Sequence, residues 1–526
     1  MKRRNFLKHT AAGLAMPHFI PGYGSKLLSA SSWVRLLANS NNEHGRVLVL
    51  VRLDGGNDGL NTVIPLDQYD KLANARPQVV IPEQNVLALD GYDTVGLHPV
   101  MWGIRDLFNE GKIKVVQSVG YPNQDFSHFR SSDIWMTGAD ADEVLSSGWA
   151  GRYLHYEYPN FPADYPNADM PDPLSLQVGG NLSLAFQGPL TSMGMSVHNP
   201  EQFYQLVGGY DGPVPDTPAG DLLAHVRTIM RQTNLYGDVV TQAYEQGANL
   251  GNYPDGNRLA EQLKIVARLI SGGLKTPIYM VTMGGFDTHD NQVVGDNPAK
   301  GEHAVLLGLM SEAISAFVRD IELLGHAERV LGMTFSEFGR RIKSNDSFGT
   351  DHGAAAPMFV FGQPVEGGVL GDTPDIPANA GWNDNVAMQF DFRSVYGTLL
   401  KDWFCVPEED LQSILFQDFQ LLPILNNPDC LPTSIHDRNQ LAGRQLLQAW
   451  PNPFAERTRI RFTGQGRALV QVFNGAGQLV ATPANRDFPE GEHLLDWDSG
   501  NLPAGNYYIR LQMGAFQQVE MVVKIG

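Results

Sequence analysis

Five short stretches of the chain are apolar at consecutive positions: "RVLVLVRL" (46–53), "IKVVQSVG" (113–120), "PIYMVTM" (277–283), "RVLGMTF" (329–335) and "MFVFG" (358–362). Strands of a sheet covered on both faces read this way, because successive side chains point to opposite faces and both sets must be buried. Between these runs the period changes. "HAVLLGLMSEAISAFVRDIELLG" (303–325) and "NRLAEQLKIVARLISGG" (257–273) repeat apolar residues at three and four, and the second runs into glycine, a common helix stop. The alternation predicts an α/β fold with a mostly parallel sheet flanked by helices. The Pro-, Asn- and Gly-rich stretch 139–215 reads as long loops decorating that sheet.

The pattern shifts near residue 450. "RTRIRF", "ALVQVFN", "HLLDWD", "NYYIRLQM" and "QQVEMVVKI" alternate apolar and polar residues between Gly and Asn turns, the spacing of a small all-β sandwich. At the other end, "MKRRNFLKHTAAGLAMPHF" has a basic start and a mild apolar run of small residues, far shorter than the ~20 residues a bilayer span needs. Arg3-Arg4 followed by Asn5, Phe6, Leu7 and Lys8 resembles a twin-arginine export signal. The expected organisation is a signal peptide over 1–30, an α/β domain over 31–445 and a β-sandwich over 446–526, with no membrane span.

Charge narrows the function. The formal net charge is -19, which excludes a phosphate-reading surface and hence a nucleic-acid partner, while abundant carboxylates suit cations. There are two cysteines, Cys405 and Cys430, so neither a disulfide scaffold nor a CxxC zinc site fits; whether the two pair is left open by sequence.

In an open α/β sheet, ligands collect beyond the carboxyl ends of the strands. The first apolar run is followed by Asp54, Asn57 and Asp58, the second by "YPNQDFSHFRSSDIW" with Ser127, His128 and Arg130, and the third by Asp287, His289 and Asp290. Ser336 and Glu337 follow the fourth, and Asp351 and His352 shortly precede the fifth. A single Asp–Gly turn is ordinarily only a turn, but five strand ends carrying carboxylate, hydroxyl or imidazole suit a divalent cation such as Zn²⁺, Mn²⁺, Mg²⁺ or Ca²⁺. The bland alternatives are specific. Ser127 would be a helix cap, Glu337 would pair with Arg340 or Arg341 along a helix, and His303 would be a structural histidine at a helix start.

"LDGGNDGLNTVIPL", "GLHP" (96–99), "DFSHFRSSDIW", "GGFDTH", "TFSEFGRR" and "GTDHGAAAPMFVFG", in that order from about residue 45 to 425, resemble the bacterial family called domain of unknown function 1501. That family is in turn similar to the alkaline phosphatase and sulfatase superfamily. The resemblance implies a metal-dependent hydrolase of phosphate or sulfate esters, acting on a small-molecule or glycan substrate. Asp54, Asp287, His289, Glu337, Asp351 and His352 would then hold metal, with Ser127 as nucleophile and His128 and Arg130 holding the charge of the transferred group. Asp287, His289 and His352 would suit Zn²⁺, while Glu337 and Asp54 would make a weaker, oxygen-rich position. Phe338 stands where the superfamily has a histidine ligand, so the alternative is a degenerate member that binds a glycan or protein partner. "DFSHFR" lacks the proline of the C/S-x-P-x-R motif, which speaks against formylglycine chemistry. Pro451-Asn452-Pro453-Phe454, "NGAGQLV", "LPAGNYYIRL" and Lys524 resemble the C-terminal sorting domain of type IX secretion. That tail implies the type IX machinery and the Arg3-Arg4 signal the twin-arginine translocase, carrying the chain through the periplasm to the surface or exterior of a Bacteroidetes-like cell, although such tails usually accompany the general secretory signal.

Overall fold

The structure is a computed structural model that describes residues 45–162, 164–200, 218–295, 297–426, 430, 447–474, 479–500, 502–513 and 516–525. The Arg3-Arg4 signal lies outside the described residues. The chain divides into two units, one of them Asn42–Asp429 and the other holding the tail from Cys430.

All five apolar runs form strands of one nine-stranded sheet. They are β1 (Val47–Asp54), β2 (Ile113–Gly120), β5 (Ile278–Gly284), β6 (Val330–Phe335) and β9 (Ala356–Phe361). Two shorter strands, β3 (Ser175–Val178) and β4 (Met195–Val197), extend one edge, and β10 (Gly368–Leu370) and β11 (Phe390–Asp391) both pair with β2. A hairpin of β7 (Arg340–Ser344) and β8 (Thr350–His352) stands apart from this sheet. The order is β10-β2-β9-β6-β1-β5-β3-β4, so β1 is central, and Val47–Val51 are buried on both faces. The two periodic helices fall where expected, as α2 (Arg258–Ser271), capped by the Asn257 side chain on Ala260 N, and α3 (Glu302–Leu323).

The sheet is mostly parallel, as expected, with one strand reversed. β1 pairs parallel with β5 and β6, but β9 runs antiparallel to both β2 and β6. The reason is the length of the connection. Between Phe335 and Ala356 the chain makes only the β7–β8 hairpin, whereas a parallel neighbour needs a crossover, usually a helix. The reversal matters for the site. The loops that leave β1, β2, β5 and β6 end at one edge of the sheet, and the loop that enters β9 starts at the same edge.

The 139–215 stretch is also more ordered than its composition suggests. It holds a helix, Trp149–Glu157, besides β3 and β4; residues 201–217 lie outside the described residues. Its glycines mark close packing as well as turns. A Cβ on Gly148 would lie 2.2 Å from Leu184 O, and one on Gly151 2.3 Å from Gln187 O.

The tail is all-β, as its alternation predicts. Leu447–Trp450, Arg457–Asn474, Leu479–Asp498, Gly505–Met513 and Phe516–Lys524 form a five-stranded antiparallel sheet with a core of its own around Phe454, Ile460, Trp497 and Ile509. Among the described residues no cysteine is free.

Below the sheet edge lies a buried ionic network. Asp58, fully buried, accepts from Arg76 Nη1 at 2.9 and 2.8 Å and from Gln292 Nε2 at 2.6 Å. Burial works against its charge, but the Arg76 guanidinium outweighs it and holds the carboxyl below its ordinary range. Removing one partner leaves a buried charge uncompensated, so Asp58→Ala should cost about 3–5 kcal/mol in urea unfolding. A carboxyl depressed in the folded state contributes stability above the ordinary carboxylate pKa and loses it as pH falls. The gap between the parent and Asp58→Asn should therefore narrow toward acid pH; a gap that widens contradicts the assignment.

Candidate functional site

Three side chains meet at the sheet edge from three different connections. His128 opens α1 (His128–Thr137), the helix after β2, which closes at Gly138 in the left-handed conformation. Asp287 comes from the loop after β5, and His352 ends β8. One ligand atom from each of the three lies within 4.8 Å of the others. His128 Nε2 is 3.3 Å from Asp287 Oδ2, and His352 Nε2 is 3.3 Å from Asp287 Oδ1.

Both imidazoles are oriented from behind. His128 Nδ1 donates to Glu337 Oε1 at 2.8 Å, and His352 Nδ1 donates to the Phe126 carbonyl at 2.7 Å. A carboxylate and a carbonyl can only accept, so Nδ1 carries the proton, and in the neutral ring Nε2 keeps its lone pair. Burial lowers the His352 pKa further than its bond to Phe126 raises it, which favours the neutral ring. His128 Nε2 is buried with no hydrogen-bond partner among the described residues. Two lone pairs aimed at one carboxylate, each ring fixed through its other nitrogen, are the arrangement that metal-ligating histidines show. The residues present therefore fit a divalent cation.

Asp287 is held as an anion. Burial favours its neutral form, but Arg340 and the neighbouring histidines outweigh that and hold the carboxyl well below the usual range. Arg340 Nη2 donates to Asp287 Oδ1 at 2.7 Å. The same buried guanidinium donates from Nε to Gly56 O at 2.6 Å, from Nη1 to Thr350 O at 2.7 Å, and from Nη2 to Phe286 O at 3.0 Å and to Gly55 O. β1 and β5 pair Asp54 with Gly284 in register, and Phe286 N then donates to Asp54 O at 3.2 Å, so the two exits lie side by side. The closeness requires glycine at 55, where a Cβ would sit 2.4 Å from Asp287 N at a φ of +125°.

The remaining sequence-derived residues take separate places. His289 Nδ1 lies 2.6 Å from Asp287 Oδ1, beside the cluster. Glu337 is buried and accepts from Gly55 N at 2.9 Å as well as from His128, so it stands behind His128 and outside the group of three. Asp54 is paired with Arg52, and Asp351 accepts from Asn345 Nδ2 at 3.1 Å; neither joins the three. The second, oxygen-rich position built on Glu337 and Asp54 thus has its carboxylates engaged elsewhere. Arg130 donates to the carbonyls of Asp140, Ala141 and Glu143 and so pins that loop. Ser127 occupies the N-cap position of α1, yet its side chain makes no cap hydrogen bond. His303 is buried, its pKa pushed down to about 4 by burial, and it donates from Nε2 to Asn57 Oδ1 at 2.9 Å, the structural role expected of it.

Sequence reasoning gave His128 a charge-holding role and placed Arg340 on a helix. The structure has no helix there, and Arg340 begins β7. The signal that His128 lies near the cluster was available, because it opens the helix that follows β2, at the strand end where ligands of such sheets collect. No sequence signal gave the partner of Arg340, 53 positions away in the chain.

Phe338 does face the cluster. It is fully buried, with its ring centroid 4.9 Å from that of His128 and 4.5 Å from that of His352.

Two family models match the chain. Residues 235–402 match the protein of unknown function family DUF1501. Residues 448–525 match the secretion system C-terminal sorting domain. The first span holds Asp287, His289, Glu337 and His352, while Ser127 and His128 precede it. The sorting domain implies the secretion machinery as partner and marks the chain for export to the cell surface or extracellular space. No described helix is long and apolar enough to cross a membrane. No curated protein matches the sequence. Among solved structures, a Bacteroides thetaiotaomicron protein described under the metabolism of multiple glycosaminoglycans aligns at TM-score 0.34 and 10% identity, covering 83% of this chain and 88% of that one. The PsFucS1 sulfatase from Pseudoalteromonas sp. aligns at 0.33 and 11%, covering 88% and 87%. A protein in the alkaline phosphatase superfamily from Vibrio parahaemolyticus aligns at 0.31 and 9%, covering 94% and 90%. At these values no residue's role carries over.

Phe338 fills the floor beneath both imidazoles. Phe338→Ala should open a cavity there and cost about 3–5 kcal/mol in denaturant unfolding. A variant as stable as the parent would contradict that packing.

Proposed function

We propose that this chain is an exported hydrolase of phosphate or sulfate esters that works with one divalent cation held by His128, Asp287 and His352. The observation that carries the reading is the pair of Nε2 atoms facing Asp287, each ring anchored through Nδ1. A divalent cation bound there would polarise an anionic ester oxygen and offset the charge that builds as the bond to the leaving group breaks. Everything else is the work of the chain's own groups. Arg340 keeps Asp287 ionised and fixes the loop that carries it. Glu337 and the Phe126 carbonyl hold the two rings in the tautomer that presents Nε2.

We assign the attack on phosphorus or sulfur to the Ser127 hydroxyl: its oxygen bonds to phosphorus or sulfur as the bond to the ester oxygen breaks, the departing alcohol carries away the hydroxyl proton, and water then cleaves the seryl ester to restore Ser127. Two observations support it. Ser127 stands between Phe126 and His128, both tied into the cluster, and its side chain is not used as a helix cap. An anionic group at the start of α1 would also meet backbone N–H groups left unpaired by the helix. A purely binding role is the second reading, favoured by Phe338 standing where a further imidazole ligand would be.

Two measurements check this. Zn²⁺ or Mn²⁺ added to metal-stripped protein at 100 times its Kd should raise the unfolding free energy by about 2.7 kcal/mol. Glu337→Gln should weaken that binding by roughly 10- to 100-fold. Protein whose melting is indifferent to both metals and to chelator has no such site. Ser127→Ala should lower turnover of aryl phosphate or sulfate by roughly a thousandfold or more while metal content stays unchanged. If it turns over as fast as the parent, Ser127 is not the nucleophile; if neither turns over, the binding reading takes its place.

A further inference from the structure

One face of the β7–β8 hairpin is not used by the cluster. Along β7, Arg340, Ile342 and Ser344 are buried, and Arg341 and Lys343 alternate with them on the half-exposed side. The loop around Trp382 is docked against this side. Ile342 N donates to Asp384 O at 3.2 Å, and Arg341 Nη1 donates to Trp382 O at 2.7 Å and to Asn383 Oδ1. The loop is also tied to the site, because Arg341 Nε donates to the backbone carbonyl of His352 at 3.1 Å. Within this frame the Trp382 side chain is left 51% exposed, and the Lys343 ammonium lies 4.0 Å from its ring centroid. Lys343 is in no ion pair among the described residues. A second exposed ring, Phe129 at 88%, directly follows His128.

Each feature costs something if it has no ligand. An indole left half in water gives up burial that a packed position would provide, and tethering its loop costs conformational freedom. A cation against that ring, in no ion pair among the described residues, is uncommon in a chain of net charge -19 and is free to meet an anionic ligand. A flat apolar face beside a cation is the chemistry that takes a sugar ring bearing an anionic group: the ring's C–H face packs on the indole and the ammonium pairs with the anion.

We propose that Trp382 and Lys343, positioned by Arg341, form a subsite for the glycan portion of the substrate, which is an oligosaccharide carrying anionic groups beyond the ester that is cleaved. The proposal rests on the hydrolase reading for its substrate but not for its test. Titration calorimetry of the full chain would use three probes: a sulfated hexasaccharide from chondroitin sulfate, uncharged maltohexaose and inorganic sulfate. The sulfated hexasaccharide should bind saturably and more tightly than either of the others. Trp382→Ala should weaken it roughly tenfold, the size of an aromatic anchor's loss. Lys343→Gln should weaken it by up to about fivefold and flatten its dependence on salt. Trp382 is exposed, so its variant should melt like the parent. Equal affinity in the parent and Trp382→Ala overturns the proposal, and so does maltohexaose bound as tightly as the sulfated chain or no binding by the parent. Aryl ester turnover, followed in parallel, separates the two readings. Turnover without Trp382-dependent glycan binding sinks the subsite alone, and Trp382-dependent binding without turnover sinks the hydrolase alone.

Discussion

The buried Arg340 guanidinium is the constraint on which the sheet edge depends. Its three nitrogens reach four backbone carbonyls and one carboxylate, drawn from the exit of β1, the loop after β5 and the start of β8. These segments are distant in sequence, and each ends in carbonyls that a buried position would otherwise leave unpaired. A planar fork with donors in fixed directions can satisfy several of them at once, and a lysine cannot. The cation then needs a counter-charge, and Asp287 supplies it. The interaction that closes the fold here is thus the one that keeps a carboxylate ionised between two imidazoles.

That carboxylate is what gives the two histidines their meaning. An imidazole fixed through Nδ1 presents a lone pair along a set direction, and two of them directed at one anion make a place that suits a cation. The reversal of β9 makes the meeting topologically available. Because β9 runs against its neighbours, the segment that precedes it, with His352, arrives at the edge where β2 and β5 deliver His128 and Asp287. A crossover helix in place of the β7–β8 hairpin would have put His352 at the other end of the sheet.

Much of this was legible in the sequence, for physical reasons that also mark the limit. The five apolar runs are strands because a doubly covered strand must be apolar on both faces, and periodicity reports that directly. The strand-end rule located Asp287, His289 and His352 within one region, since a sheet puts the ends of parallel strands together whatever their order. Strand direction was not legible for β9, because it depends on the length of a connection whose hairpin reads in sequence as a polar loop. Asp54 was misleading for a related reason. It ends a central strand as a ligand would, yet Arg52, two residues earlier and thus on the same face of the strand, pairs with it. Glu337 was found but not its role, because whether a carboxylate touches a metal or backs a histidine is a matter of a few ångströms. The ordered helix Trp149–Glu157 was hidden by glycines that read as turns and in fact allow close packing.

The most direct test of this arrangement is a crystal structure of the full chain grown with Zn²⁺, with anomalous differences recorded at the zinc edge. The expected result is one peak about 2.0–2.2 Å from His128 Nε2, His352 Nε2 and an Asp287 oxygen, with Glu337 behind His128 and outside bonding distance. No peak at this edge, or a peak on Asp54 and Glu337 with the two imidazoles turned away, would contradict it.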